Sequence, residues 1–426
     1  MSDIIEKNDA PEPSESSAVP AFGAKSTGAA AVEVPSYMPR RTLGQMLRGD
    51  LGFIPVLLTL ILVVVYFSIA SNGIFLRPQN LSNLVGQIAT YGILGLGVIM
   101  VLLLGEIDLS IAAVAYLCAV VMAVLSERAG APAWVAILVA LLAGAVIGLI
   151  NGFFVAVLRV PSFIVTLAAS IGYAGLLLNL LAGQATLIIN NNFIVAIAGS
   201  ARSFLPDYLG IGLPALAVLL YVAGLIVGYV RRKRAGLRTS SLLELVVRIV
   251  ITALVVFAAV AVFESYQGVP YSTAILFGLI TFFWLLMTKT SFGRHVYAVG
   301  GNSEAARRAG INVVGIRVAA FTLCSTLAAL GGVILASHGT AAASNIDSTL
   351  LLNAIAAAVI GGVSLFGGRG SVWAIVLGVL IIGSLVNGLA LLNQGTDVSE
   401  MVEGVVLLIA VTVDALVRRA QMRTGR

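Results

Sequence analysis

The sequence predicts an all-α protein: a polytopic transmembrane helical bundle of about 10–12 spans with a weak internal repeat. Three observations carry that prediction. Hydrophobic residues make up 59% of the 426 residues and charged ones only 10%, and the mean hydropathy of +1.05 is far above what a water-soluble domain sustains. Apolar runs of about 20 residues, the length needed to cross a bilayer core, recur along the chain. The basic residues gather at alternate ends of those runs.

Residues 1–45 are rich in Pro, Ser, Ala and Glu and lack periodicity, so they predict a disordered cytoplasmic tail ahead of one transmembrane domain over 46–426. They do not read as a cleavable signal, because the first apolar run starts near Phe53 and is too long for that role. Candidate spans fall at 52–70, 83–104, 109–126, 133–157, 162–182, 211–230, 243–263, 271–288, 317–337, 352–366, 371–390 and 400–417. With the N-terminus inside, Arg40, Arg41, Arg48, Arg159, the RRKR run at 231–234, Arg238, Lys289, Arg294, Arg307, Arg308, Arg317, Arg369, Arg418, Arg419, Arg423 and Arg426 all fall on the cytoplasmic side. Only Arg77, Arg128 and Arg202 fall outside, so both termini are expected in the cytoplasm.

Within this frame Gly144, Gly148 and Gly152 repeat every four residues, a pattern that lets a neighbouring helix approach closely where lipid offers no hydrophobic drive to pairing. Asn151 sits inside that run and needs a partner, either another helix or a polar path. The internal repeat lies between residues 98–114 and 359–375, apolar stretches each broken by a short polar or Gly-rich turn. Paired interrupted segments are a common construction in transporters.

Several chemistries are excluded or weakened. The four lysines, Lys7, Lys25, Lys233 and Lys289, complete no Gly-rich nucleotide loop, and GGRGS at 367–371 joins two apolar spans with no strand before it, so it reads as a tight turn. His295 and His338 stand apart, and Cys118 and Cys324 sit in apolar runs as packing residues, so neither a metal site nor any other cofactor is expected. No nucleophile and base are visible for an enzyme. The net charge of +6 is spent on membrane topology, which argues against nucleic acid and for membrane lipid as the surroundings.

The loop at 289–316 carries its own helix signal. Asn302 or Ser303 can cap a short helix, Glu304 suits its first turn, Arg307 and Arg308 its last, and Gly310 can close it. Such a helix is either a solvated connection or a docking element for a soluble partner.

The segment SFGRHVYAVGGNSEAARRAGINV resembles the corresponding loop of the permease subunits of binding-protein-dependent monosaccharide ABC importers, most closely those of the xylose type. EIDLS at 106–110, VPSFIVTLA at 160–168, AIAAAVIGGVSL at 354–365 and SLVNG at 384–388 are similar to motifs of that family, and the likeness runs from about residue 50 to the C-terminus. The spans flanking RRKRAGLR are similar to those of the xylose type rather than the shorter ribose type. The resemblance implies an inner-membrane importer subunit that is not itself an enzyme. Its implied partners are a second permease copy, a cytoplasmic ATP-binding subunit, a periplasmic sugar-binding protein and a monosaccharide, with a pentose such as xylose favoured. It also implies that Asn302, Ser303, Glu304, Ala305, Ala306, Arg307, Arg308 and Gly310 meet the ATP-binding subunit. Leu351 and Asn353 stand where relatives tend to carry carboxylates, and Ala112, Trp373 and Ala374 where glycines are usual, so the identity of the sugar does not follow from the likeness.

The residues facing the path are less constrained. A carboxylate facing lipid costs about 2.5–3.5 kcal/mol, so Glu106 and Asp108 should face protein, water or a boundary. Asp108 or Ser110 capping the next helix is the favoured role, with contact to sugar hydroxyls as the alternative. Asn151, Asn179, Asn345, Asn353 and Asn387 are further candidates for the path, each with a packing role as its alternative. An ion-coupled secondary transporter using Glu106, Asp108, or Glu244 with Arg248 is the competing function, although Glu244 and Arg248 are spaced to neutralise one another.

Overall fold

The computed structural model describes residues 54–199, 203–237, 239 and 241–423. The chain divides into two units, residues 1–48 and 49–426. The expected tail lies outside the described residues, as do Arg202 and Arg238.

Long apolar helices dominate the second unit. They are α1 (Ile54–Ala70), α2 (Pro78–Leu102), α3 (Ile111–Ala123), α4 (Ala133–Gly152), α5 (Ser162–Leu181), the short α6 (Asn192–Ala198), α7 (Asp207–Arg234), α8 (Leu242–Glu264) and α9 (Tyr271–Lys289). After them come α10 (Ser291–Gly301), α11 (Ser303–Arg308), α12 (Val313–His338), α13 (Ser348–Ile360), α14 (Ala374–Leu391) and α15 (Thr396–Arg423). Single π-turns extend α3 to Arg128 and α4 to Val157. Among the described residues nine helices are long and apolar enough to cross a membrane, and two shorter apolar ones lie at Pro55–Ala70 and Ser348–Ile360.

Each of the twelve expected spans contains a helix, but the run at 352–366 departs from expectation. Its helix, α13, has 13 residues, which at 1.5 Å per residue is about 20 Å and cannot cross a core of about 30 Å. The apolar run continues, yet the helix stops because Gly362 turns at φ 102° and Gly361 lies against the Ala374 carbonyl. A Gly-rich break over 361–373 follows before α14 begins. The stretch 103–110 breaks the chain in the same way between α2 and α3. The two halves of the weak repeat therefore share one construction, helix, break, helix.

At the centre stands α12, packed against α2, α3 and α4. The crossing with α4 depends on the spaced glycines: a Cβ on Gly148 would fall 2.5 Å from the Phe321 carbonyl oxygen, and one on Gly152 2.9 Å from Val318 Cα. This matches the close approach expected of the four-residue repeat. On the other side α14 packs on α1, α2 and α13, and α15 on α13 and α14. Two short strands, β1 (Thr186–Ile188) and β2 (Ala341–Ala343), pair antiparallel with Thr186 opposite Ala343. Through β2 the chain returns from the far end of α12 to the start of α13.

Candidate coupling joint and polar path

The helix signals in the 289–316 loop form two helices rather than one. In α10 the residues Gly293, Val296 and Val299 are buried, spaced to make a single apolar face. The next helix, α11, starts at the Asn302 cap, whose Oδ1 accepts the Ala305 N–H at 2.9 Å, so Asn302 rather than Ser303 takes that role. Glu304 pairs with Arg307 at 2.9 Å and Arg308 at 3.2 Å. Hydrogen bonds from Arg307 and Arg308 hold the Glu304 carboxyl below the usual carboxylate range, and Glu304 raises Arg307 in return. Ala306 is buried against the bundle, and Gly310 closes the turn at φ 83°. An open hollow of about 430 Å³ lies beside α11, lined by His295, Gly310, Ile311, Asn312 and Ile316.

The base of this element is wedged between the two breaks. A Cβ on Gly367 would fall 2.8 Å from the Gly105 nitrogen and 3.0 Å from the Gly300 carbonyl oxygen, and one on Gly300 would collide with the Leu103 carbonyl. Three backbones therefore meet with no room for a side chain. Gly368 N–H donates to the Leu103 carbonyl at 2.8 Å, tying one break to the other. The Tyr297 hydroxyl donates to the Gly370 carbonyl at 2.9 Å, tying α10 to the second break. Arg317, at the start of α12, pairs with Glu106 in the first break at 3.3 Å. This pair joins residues far apart in sequence, and sequence reasoning missed it, together with Tyr297 and the Gly105–Gly300–Gly367 contact. The glycine pairs Gly300–Gly301 and Gly367–Gly368 were the available signal.

Behind the first break runs a buried polar chain. Asp108 Oδ1 accepts the Ser110 N–H at 2.8 Å and the Ser110 hydroxyl at 2.6 Å. Asn151 Nδ2 donates to Ser110 Oγ at 3.1 Å, and its Oδ1 accepts the Tyr173 hydroxyl at 2.9 Å. From α5, Thr166 Oγ1 accepts the Leu109 N–H at 3.0 Å. The Ile107, Leu109 and Ser110 backbone donors are thus met by side chains, and those of 103–106 by backbone carbonyls, as a segment deprived of water requires. Asn151 finds its partners in the first break and on α5 together.

The other asparagines separate. Asn387 accepts from Asn80 at 2.9 Å, a buried pin between α14 and α2. Asn179 is exposed on α5 and Asn345 is exposed before α13, whereas Asn353 is buried in α13. Glu244 and Arg248 form an exposed i,i+4 pair at 3.3 Å.

The family described as branched-chain amino acid transport system / permease component matches residues 80–411. The chain belongs to this permease family. The permease is 36% identical to the xylose transport system permease protein of Escherichia coli over 84% of this chain and 91% of that one. It is 37% identical to the xylose permease of Haemophilus influenzae over 84% and 94%, and 33% identical to the ribose import permease of Bacillus subtilis over 84% and 91%. No solved structure matches. The permease is a multi-pass inner-membrane subunit of an ABC importer and not itself an enzyme; an ATP-binding subunit and a binding protein are the partners its family implies.

Proposed function

We propose that the permease carries a monosaccharide, a pentose with xylose first, and couples its movement to ATP hydrolysis on a partner through α11. The observation that carries the coupling is the joint itself. The exposed α11 follows α10, the end of α10 is locked between both breaks, and the first break is tied to α12 by Glu106 and Arg317. A push on α11 then moves the breaks rather than bending a loop. The basic residues at that end, Arg294, Arg307, Arg308, Arg317 and Arg369, support placing it in the cytoplasm with both termini.

Within this reading Asn302, Ser303, Glu304, Ala305, Arg307, Arg308 and Gly310 form the surface that meets the ATP-binding subunit, whereas Ala306, expected there with them, is buried and anchors α11 to the bundle instead. Asp108 Oδ1, Ser110 and Asn151 hydrogen-bond one another and Tyr173, which favours a scaffold role for them, while Asp108 Oδ2 is buried without a partner. The sugar class rests on the xylose and ribose relatives, because the family description alone names amino acids. We further propose a homodimer in lipid. Ala168, Gly172, Gly175 and Asn179 form an exposed stripe on α5, and a Cβ on either glycine would meet nothing within 4 Å, which leaves space for a second helix to approach.

Uptake of labelled xylose, ribose, arabinose and galactose into proteoliposomes holding the permease, its ATP-binding subunit and its binding protein tests the reading. One sugar should enter only with all three components and ATP. Uptake by the permease alone under an ion gradient would overturn it. Glu304→Ala combined with Gly310→Val should leave the bundle folded and ATP hydrolysis running while uptake falls at least tenfold; normal uptake would remove α11 from the coupling role.

A further inference from the structure

The α7–α8 hairpin is fastened by main-chain bonds at one end only. Where α7 begins and α8 stops, the Leu205 N–H donates to the Val269 carbonyl at 2.8 Å and the Tyr271 N–H to the Ser203 carbonyl at 2.9 Å, which ties the entry of α7 to the start of α9. Between its ends the hairpin packs on α2 through α8, and only 6% and 11% of the apolar windows of α7 and α8 are buried. At the turn over 235–241 the hydrogen bonds among the described residues stay inside the hairpin: Ala235, Gly236 and Leu237 bond back to α7, and Ser241 caps α8 by accepting the Glu244 N–H at 3.1 Å. The last turn of α7 carries Arg231, Arg232, Lys233 and Arg234, all exposed, and none of the four forms an ion pair among the described residues. Glu244, at the start of α8, is spent on Arg248 at 3.3 Å. Residues 208–230 of α7 are uncharged and rise about 35 Å, slightly more than a core of about 30 Å, so the four cations emerge where lipid headgroups begin. Leu237, Leu242 and Leu243 stand exposed beside them.

We infer that the cationic end of α7 binds the phosphate headgroups of anionic phospholipids, which hold this end of the hairpin as main-chain bonds hold the other. Charge complementarity is the first reason. Successive helical residues are turned by about 100°, so four in a row ring the helix and the side away from α8 is cationic whichever face α8 covers. The arginine forks match phosphate oxygens in pairs, and the lysine adds a point charge. The second reason is the order of surfaces. A phospholipid presents phosphate and then acyl chain, and the hairpin presents cations and then exposed apolar helix, with leucines at the boundary as in interfacial anchors. An acidic protein segment would satisfy the cations and leave those apolar faces bare. Basic residues also orient spans during insertion, but that role ends once the hairpin is in place. A headgroup site keeps acting in the folded protein, and it stands whether or not the transported solute is a sugar.

The test uses the full-length permease in phosphatidylcholine nanodiscs, with a fluorophore on Ala235→Cys; the native Cys118 and Cys324 are buried and escape labelling. A small share of the lipid is spin-labelled phosphatidylglycerol or, in a matched sample, spin-labelled phosphatidylcholine. At about 0.1 M salt the phosphatidylglycerol label should quench at least about twofold more strongly, and at about 1 M, where the screening length falls from about 10 to about 3 Å, that preference should drop by at least half. Replacing the four cations together (Arg231→Gln, Arg232→Gln, Lys233→Gln and Arg234→Gln) should abolish the preference. Quenching by the phosphatidylcholine label should persist in that variant, which shows the turn still lying at the bilayer surface. Equal quenching of the native protein by both lipids, or a preference unmoved by salt or by the four replacements, would overturn the site. Absence of quenching by either lipid would also overturn it and show that another protein chain covers this end of the hairpin.

Discussion

The glycine joint and the α7–α8 hairpin are built on opposite principles. Around the joint, α2 has 83% of its apolar window buried, and glycines bring three backbones together where no side chain fits. In α7 and α8 the buried share falls to 6% and 11%, although their hydropathies, 2.3 and 2.8, exceed the 1.9 of α2. Hydropathy alone does not set burial here, since α5 has the same 1.9 as α2 with only 17% of its window buried and α14 has 2.4 with 61% buried; the closely packed joint is marked instead by small residues and paired polar groups. The hairpin's sequence is constrained by the bilayer, and the joint's sequence by other parts of the same chain.

The largest contrast should come from Gly300→Leu. Its side chain would meet the Leu103 carbonyl and the Gly368 nitrogen, backbone atoms that cannot rotate aside. Overpacking of about 1–3 kcal/mol or more is expected, read as a lowered melting temperature in detergent together with loss of ATP-dependent uptake. A stable, fully active Gly300→Leu would deny that the joint is closely packed. Asn151→Leu should have the next largest effect, because it strips Tyr173 of its acceptor and Ser110 Oγ of its donor within the bundle. A loss of about 1–3 kcal/mol is expected, and thermal unfolding with a matched Asn151→Gln control measures it. The smallest effect belongs to the hairpin: Leu219→Ala and Leu254→Ala, both exposed to the surroundings, should each stay within about 0.5 kcal/mol of the native protein in the same melt. A large loss there would show that another chain covers the hairpin.

The same contrast explains what was legible in the sequence. The cap and closing glycine of α11 depend on residues within a few positions of one another, so a cap at Asn302 or Ser303, Glu304 in the first turn, Arg307 and Arg308 in the last and Gly310 at the close could be placed without the fold, whereas the choice of Asn302 and the ion pairs came from the structure. The two breaks left a faint repeat because each needs a turn between apolar runs. Glu106 with Arg317, Asn80 with Asn387 and Gly105 with Gly300 and Gly367 are long-range pairings, and no local pattern marks which member meets which. β2 was illegible for a different reason, since Ala341–Ala343 has neither the branched side chains nor the alternation that signals a strand. The early end of α13 was hidden because the apolar composition runs on past its last turn.

The shortness of α13 has a consequence for the work of transport. Where it ends, the next stretch of chain, 361–373, is non-helical backbone whose polar groups need water or protein partners at a depth where lipid offers neither. Local pairings such as Gly368 with Leu103, Ser364 with Arg369 and Gly367 with Ser364 meet part of that need. The half-helix itself spans about 20 Å, against about 30 Å for the hydrocarbon core. On the transport reading proposed above, a solute passing beside α13 would cross the length of a few turns of helix rather than the full width of the hydrocarbon core.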